Sequence, residues 1–294
     1  MRKRPDFLGV LPTDARLTVP VLAPTGGAGR STLAFLIASE LAATGDTVVL
    51  DTAPRLASPW PAWSNAPGRG LSALPPGEPA SRETARAACA AMSGPAGPWD
   101  LLTDGRDWSA PPLDLPQEPA AWYQLAALGG WRAVVADTAH PVTHDLLTAR
   151  CAGLPGLTRA WLALPYAVPV LCAAASAEGV QALQQAVMAM AAENLPLHRT
   201  VAVLVATGDG RPPPVARAAA TMLSGRTADV VHLPHDANLR SSGLRSGRVH
   251  PRTRQAAARV AAAVLGAAHE SWGAPLPPAP QPAVLRPVSP EVPA

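Results

Sequence analysis

Lysine is nearly missing from this chain. Of its 24 basic residues only Lys3 is a lysine, and it sits at the N-terminus, so chemistry that needs a buried lysine has no residue in the body to carry it. Cysteine is scarce as well. Cys89, Cys151 and Cys172 are odd in number and lack metal or disulfide spacing, as reduced thiols of a cytosolic protein do. No stretch offers roughly 18 apolar residues free of proline and charge, and no long apolar run follows the basic N-terminal MRKRPDFLGVLPTD. Membrane insertion is therefore not expected, and the expected location is cytoplasmic. A strong excess of one charge is also lacking: the net charge is +3 and the arginines are spread along the chain, which argues against a dedicated nucleic-acid surface. No G-x-S-x-G elbow occurs, so a hydrolase triad lacks its nucleophile.

What is present is apolar residue in quantity. At 48% apolar over 294 residues the chain can bury one large core. Short Val/Leu/Ala runs at 17–22, 47–51, 131–137, 168–174, 201–207 and 229–234 read as strands buried on both faces. Pro20 fits awkwardly in the first, because it cannot donate to a ladder. Helices are expected at 31–44, 81–93, 177–194, 213–224 and 252–268, with Leu33, Leu36, Ile37 and Leu41 at helical spacing in the first. Ser176 reads as a helix cap. The alternation predicts an α/β fold, a mostly parallel sheet with helices on both faces. Residues 1–16 are expected to be an N-terminal extension and 17–270 one domain. A Pro/Trp-rich irregular insertion is expected over about 54–118, and residues 271–294, proline-rich, are expected to form a disordered tail.

The run Thr25-Gly26-Gly27-Ala28-Gly29-Arg30-Ser31-Thr32 lies between the first strand and the first helix. Glycines there let backbone amides turn toward an anion at the positive end of the helix. Arg30 offers positive charge to a phosphate, Ser31 stands where a hydroxyl would bind Mg²⁺, and Asp137 closes a later buried strand where its carboxylate could hold the metal's water shell. By itself a glycine-rich turn is as often an empty turn, and a strand-end acid such as Asp137 is often only a solvated or capping residue.

These residues together resemble the MinD/ParA family of deviant Walker P-loop ATPases, whose loop reads GKGGVGKTT and whose next strand ends in D-x-D. The resemblance spans most of 17–268: Gly26 to Thr32 as the loop, Thr47 to Asp51 as the second strand, Val134 to Thr138 as Walker B. Pro169 to Gly179 matches the strand and turn that follow, and Leu233-Pro-His-Asp236 the late motif near the nucleotide base. It implies a P-loop NTPase-like fold, ATP and Mg²⁺ as cofactors, phosphates cradled by residues 25–32, Mg²⁺ managed by Ser31 and Asp137, and Asp51 and Asp236 at the nucleotide. It also implies protein partners and a homodimer. The departures are specific. Pro24 replaces the loop's first glycine, Thr25 stands at the family's signature lysine, Arg30 at the general P-loop lysine, and Ala53 at the second acid of D-x-D. The loop is thus a degenerate Walker A. Loss of a water-positioning carboxylate removes transition-state organisation while leaving binding nearly intact, so the expectation is a nucleotide-binding protein for positioning, partition or assembly with weak or no hydrolysis.

Three other readings compete. One is a pseudo-ATPase scaffold with an empty pocket that recruits protein partners. Another is a Rossmann dinucleotide protein, suggested by Thr25-Gly-Gly-Ala-Gly and by Asp51 as the ribose acid; against it, the third glycine falls at Thr32, and neither Tyr123 nor Tyr166 is followed four residues on by lysine. A structural metal at His140/His144 or His232/His235 lacks a converging ligand set. The basic run Arg240–Arg254 reads as solvation of the last helix in preference to a DNA surface, because aromatic interleaving is absent.

Overall fold

The computed structural model describes residues 9–64, 70–74, 80–246 and 249–282. Among these residues eight strands form one sheet: β1 (Leu17–Ala23), β2 (Thr47–Asp51), β3 (Ala90–Gly94), β4 (Gly97–Leu102), β5 (Ala133–Pro141), β6 (Val170–Ala174), β7 (Val201–Val205) and β8 (Asp229–Leu233). Their order across the sheet is β3-β4-β2-β5-β1-β6-β7-β8, and all neighbours are parallel except the antiparallel β3–β4 edge. The six strands expected from apolar runs are all present. Continuous burial of β1 and β2 explains why they read as unbroken apolar runs and not as alternating patterns.

Among the described residues, ten helices accompany the sheet: α1 (Arg30–Leu41), α2 (Trp60–Trp63), α3 (Arg82–Ala87), α4 (Pro119–Gly129), α5 (Val142–Ala152), α6 (Leu157–Leu162), α7 (Ala177–Ala192), α8 (Pro214–Leu223), α9 (Ala237–Ser242) and α10 (Pro251–Trp272). Two cores result, one on each face. In the first, Leu33, Leu36 and Ile37 of α1 and Val260 and Val264 of α10 close on Val19, Val21 and Val135. In the second, Trp122, Trp161, Leu183 and Val187 close on Leu22, Val134, Leu171 and Leu204. Ser176 caps α7 as expected, its hydroxyl accepting from the Gly179 amide at 3.1 Å.

Pro20 sits within a central strand, keeping the β5 register intact while the β6 ladder is interrupted. Thr18, two residues earlier and so facing the same side, bonds toward Tyr166 and Val168, whereas the β1–β6 register proper begins only at Val21. The absent N–H of Pro20 therefore falls where the β6 pairing has a gap.

Two local expectations differ from the structure. Residues 81–93 do not form one helix: α3 ends at Ala87, after a capping box between Ser81 and Thr84, and Ala90–Gly94 pairs antiparallel with β4 as the sheet edge. The alanine run favours a helix locally, but the Gly94–Gly97 turn and the waiting edge of β4 override it. The segment 54–118 is thus only partly irregular, since it adds a hairpin to the sheet. Its tryptophans divide: Trp60 and Trp99 are buried, while Trp108 is 77% exposed.

At the N-terminus Leu11 and Ala15 are already buried, and Leu11 N–H donates to Thr44 O at 2.8 Å. Of the proline-rich segment, residues up to 282 are described. Leu276 is buried, the Tyr166 hydroxyl donates to Pro278 O and Ala279 N–H to Asp14 O. The rest of the expected tail, 283–294, lies outside the described residues, as do 1–8 of the expected extension. No described helix is long and apolar enough to cross a membrane.

Candidate functional site

The loop from Pro24 to Gly29 leaves β1 at its carboxyl end and delivers the chain into α1, the place where an open α/β sheet forms its crevice. Gly27 and Gly29 have φ of +71° and +86°, a region L side chains rarely adopt, and Gly29 caps the helix. Ideal Cβ atoms at Gly26 or Gly27 would meet nothing within 4 Å, so the loop is not filled by its neighbours. Thr25 is exposed and Ala28 buried. Gly27, Ala28, Gly29 and Thr32 form one wall of a cavity of about 430 Å³, a size suited to a small ligand. The opposite wall is Thr207, Leu233 to Asp236, and Arg240 from α9. A second cavity of about 420 Å³ shares Leu233 to Asp236 and continues to Asp209, His250 and Arg252.

Arg30, expected to cradle phosphate, is turned away from this cavity. Its Nη1 and Nη2 donate to the carbonyls of His140 and Ala139 at 2.9 and 3.1 Å. The cause lies in β5: between the pairs Val21↔Asp137 and Ala23↔Pro141, β1 advances two residues while β5 advances four. That bulge presents the two carbonyls to the guanidinium. The cation on the cavity wall is Arg240, a residue that sequence reasoning assigned to solvation and whose only signal was its place four residues after Asp236.

Ser31 and Asp137 come together. The Ser31 hydroxyl lies near enough to the Asp137 carboxylate to favour its charged form, and Asp137 is 4% exposed. Asp51 is Asp137's direct partner in the β2–β5 register and is 1% exposed. Asp51 accepts from Ser58 Oγ at 2.7 Å, Thr103 Oγ1 at 2.6 Å and the Ala53 amide at 3.2 Å. Burial pushes the Asp51 carboxyl up to about 7; the Thr103 and Ser58 hydrogen bonds oppose this, and the charge of Asp137 adds to it. Asp137 is likewise raised by burial, against the nearby Ser31 hydroxyl and the Trp60 hydrogen bond. One hydroxyl and two carboxylates make a hard-oxygen donor set of the kind Mg²⁺ takes.

The residue that sequence reasoning missed is Trp60. Its side chain is fully buried, and its indole Nε1 donates to Asp137 Oδ2 at 2.7 Å. A tryptophan in a Pro-rich stretch carries no motif, and nothing in the spacing singles it out.

Asp236 caps α9. It accepts from the amides of Asn238 at 3.0 Å, Leu239 at 3.3 Å and, across the chain, His250 at 2.8 Å. Burial acts to raise its carboxyl, but the donated hydrogen bonds, that of His250 first, hold it below the ordinary carboxylate value. It borders both cavities while its carboxylate is engaged by protein amides. His140 Nε2 meets Thr158 Oγ1 at 3.1 Å and His235 Nδ1 meets Asp209 Oδ1 at 2.9 Å. Among the described residues no group of three or more His, Cys, Asp or Glu could hold a metal ion.

No family model and no curated protein matches the sequence. Solved structures do match the fold. The cell division ATPase MinD of Pyrococcus furiosus aligns with a TM-score of 0.57 at 15% identity, over 84% of this chain and 98% of that one. A ParA family ATPase from Chlorobium tepidum aligns at 0.54 and 12% identity, over 84% and 99%. A putative plasmid partition protein of Borrelia burgdorferi, bound to AMPPNP, aligns at 0.53 and 13% identity, over 87% and 99%. The chain has the fold of the MinD and ParA ATPases.

Proposed function

We propose that this chain is a MinD/ParA-like nucleotide-binding protein acting in cellular positioning, partition or assembly, with weak or no ATP hydrolysis. One observation carries the reading: left-handed Gly27 and Gly29 open the amides at the start of α1 onto a ligand-sized cavity, while Ser31, next in the chain to the wall residue Thr32, approaches Asp137. In this reading the loop amides hold the phosphates and Arg240 supplies the positive charge that Arg30 does not. The segment Leu233–Asp236 borders the base, and Ser31 and Asp137 hold Mg²⁺. When bound, the metal would neutralise phosphate charge. Weak turnover follows from Ala53, which offers no carboxylate to orient water, and from Thr25, which cannot reach a partner's phosphates as a lysine would.

Isothermal titration with ATP and Mg²⁺, run beside a phosphate-release assay, tests both halves. Saturable binding with turnover near background is expected. Fast turnover refutes the weak-hydrolysis half, and absence of heat at millimolar ATP refutes the binding half.

The second reading is a pseudo-ATPase scaffold whose pocket stays empty and whose surface recruits protein partners. It is favoured by the engagement of Arg30 with backbone carbonyls and of Asp137 with Trp60. Binding failure in the titration above selects it.

A further inference from the structure

We propose that Trp60 is a latch that shuts the acid pair Asp51/Asp137 against a divalent cation, so that cation entry and latch closure exclude one another. The proposal rests on the reading of Ser31 and Asp137 as cation ligands. Trp60 is tied to both acids at once. Its indole N–H donates directly to Asp137 Oδ2, and its backbone N–H donates at 3.1 Å to Ser58 Oγ, whose own proton goes to Asp51 Oδ2. With 1% and 4% of their surfaces exposed, the carboxylates leave no entry for a hydrated cation, which keeps several waters and needs open coordination positions.

The latch is rigidly mounted. Pro59 and Pro61 flank Trp60, and its ring packs edge-on against Trp63 at 5.3 Å and Trp99 at 6.2 Å. Trp63 in turn abuts Gly243, the residue that ends α9: a Cβ placed there would lie 3.2 Å from the Trp63 Nε1. Because α9 carries Leu239 and Arg240 on the cavity wall, one short helix joins the acid pair to the far side of the cleft. Withdrawal of α2 would free Asp137 and loosen α9 together.

The test uses Mn²⁺ alone, without nucleotide, titrated into the full chain and followed by the electron paramagnetic resonance of the free ion. Trp60→Phe keeps the packed ring and removes the N–H. We expect it to bind Mn²⁺ roughly tenfold tighter than wild type, in the range that outer contacts tune metal affinity, and Trp60→Phe combined with Asp137→Asn to return to the wild-type level. Ser58→Ala, which cuts only the tie to Asp51, should shift affinity the same way by a smaller factor and serves if the first variant does not fold. Equal Mn²⁺ binding by wild type and both single variants overturns the latch, as does a gain that survives Asp137→Asn. Failure of wild type to bind ATP would instead overturn the nucleotide reading, and leaves the Mn²⁺ comparison to be judged by itself.

Discussion

In the proposed reading, Arg30 and Arg240 exchange the parts that chain order suggests for them. A guanidinium cannot fit where backbone wraps a lysine tightly, and here the β5 bulge supplies it with two carbonyl acceptors instead. Arg30→Ala should therefore act on stability, by about 1–3 kcal/mol for charge-assisted hydrogen bonds lost at a half-buried site, with ATP affinity little changed. Arg240→Ala should do the reverse and weaken ATP about tenfold, near the effect of one charged hydrogen bond. Denaturant melts and titration calorimetry on the pair separate the two roles; an ATP loss larger for Arg30→Ala would reverse the assignment. Asp51 makes a prediction in pH. The unfolded chain releases this proton near 3.8 and the folded chain near 7, so between those values the folded state holds more protons and stability falls as pH rises. Asp51→Asn mimics the protonated acid. It should melt several degrees above wild type at pH 8, and the gap should close toward pH 4. His140 acts in the opposite sense: burial pushes its imidazole down to about 4, with Asp145 opposing and Arg30 assisting. Its contribution is complete above 6.5 and is lost as pH falls toward 4, so His140→Gln should flatten the acid side of the stability profile measured by thermal melts.

The elements best seen in the sequence are those that bury both faces or carry strict caps. Five of the six apolar runs became interior strands because a parallel sheet under helices leaves no face for polar residues, while the sixth, β8, forms the far edge with only Val231 and Leu233 buried. Leu33, Leu36 and Ile37 mark α1 by spacing alone. Gly179 shows the same legibility in close contact: an added Cβ would stand 2.2 Å from Ala174 O. Gly179→Ala should thus displace the start of α7 from β6 and destabilise by about 1–3 kcal/mol, as overpacking does, measurable by denaturant titration. The β3–β4 hairpin was hidden for the opposite reason. The alanine-rich stretch 85–91 suits a helix, and only the partner strand, distant in composition and flanked by Gly94 and Gly97, draws Ala90–Gly94 into an edge. Trp60 was illegible because its function is a tertiary hydrogen bond to Asp137, 77 residues away. The loop glycines and the Ser31–Asp137 pairing were readable because they follow from strand-loop-helix geometry, whereas the direction of Arg30 depended on a bulge that no local pattern announces.

Across the whole molecule, the glycine loop follows β1 and Leu233–Asp236 follows the end of β8, while Asp51 closes β2 opposite Asp137 in the middle of β5, in a strand order that sets β1 between β5 and β6. The fold thus assembles a cleft whose walls come from chain segments about 200 residues apart in number, and a ligand held there would tie α1 to α9. Such a ligand must raise the stability of the folded state by mass action, about 2.7 kcal/mol at a hundred times its dissociation constant. The central claim, that the amides at the start of α1 bind a nucleotide's phosphates, is tested most directly by the melting temperature as a function of ATP concentration. A rise that continues with the logarithm of ATP concentration above saturation and is absent with adenosine is expected; a melting temperature that stays flat up to millimolar ATP would exclude phosphate binding by these amides.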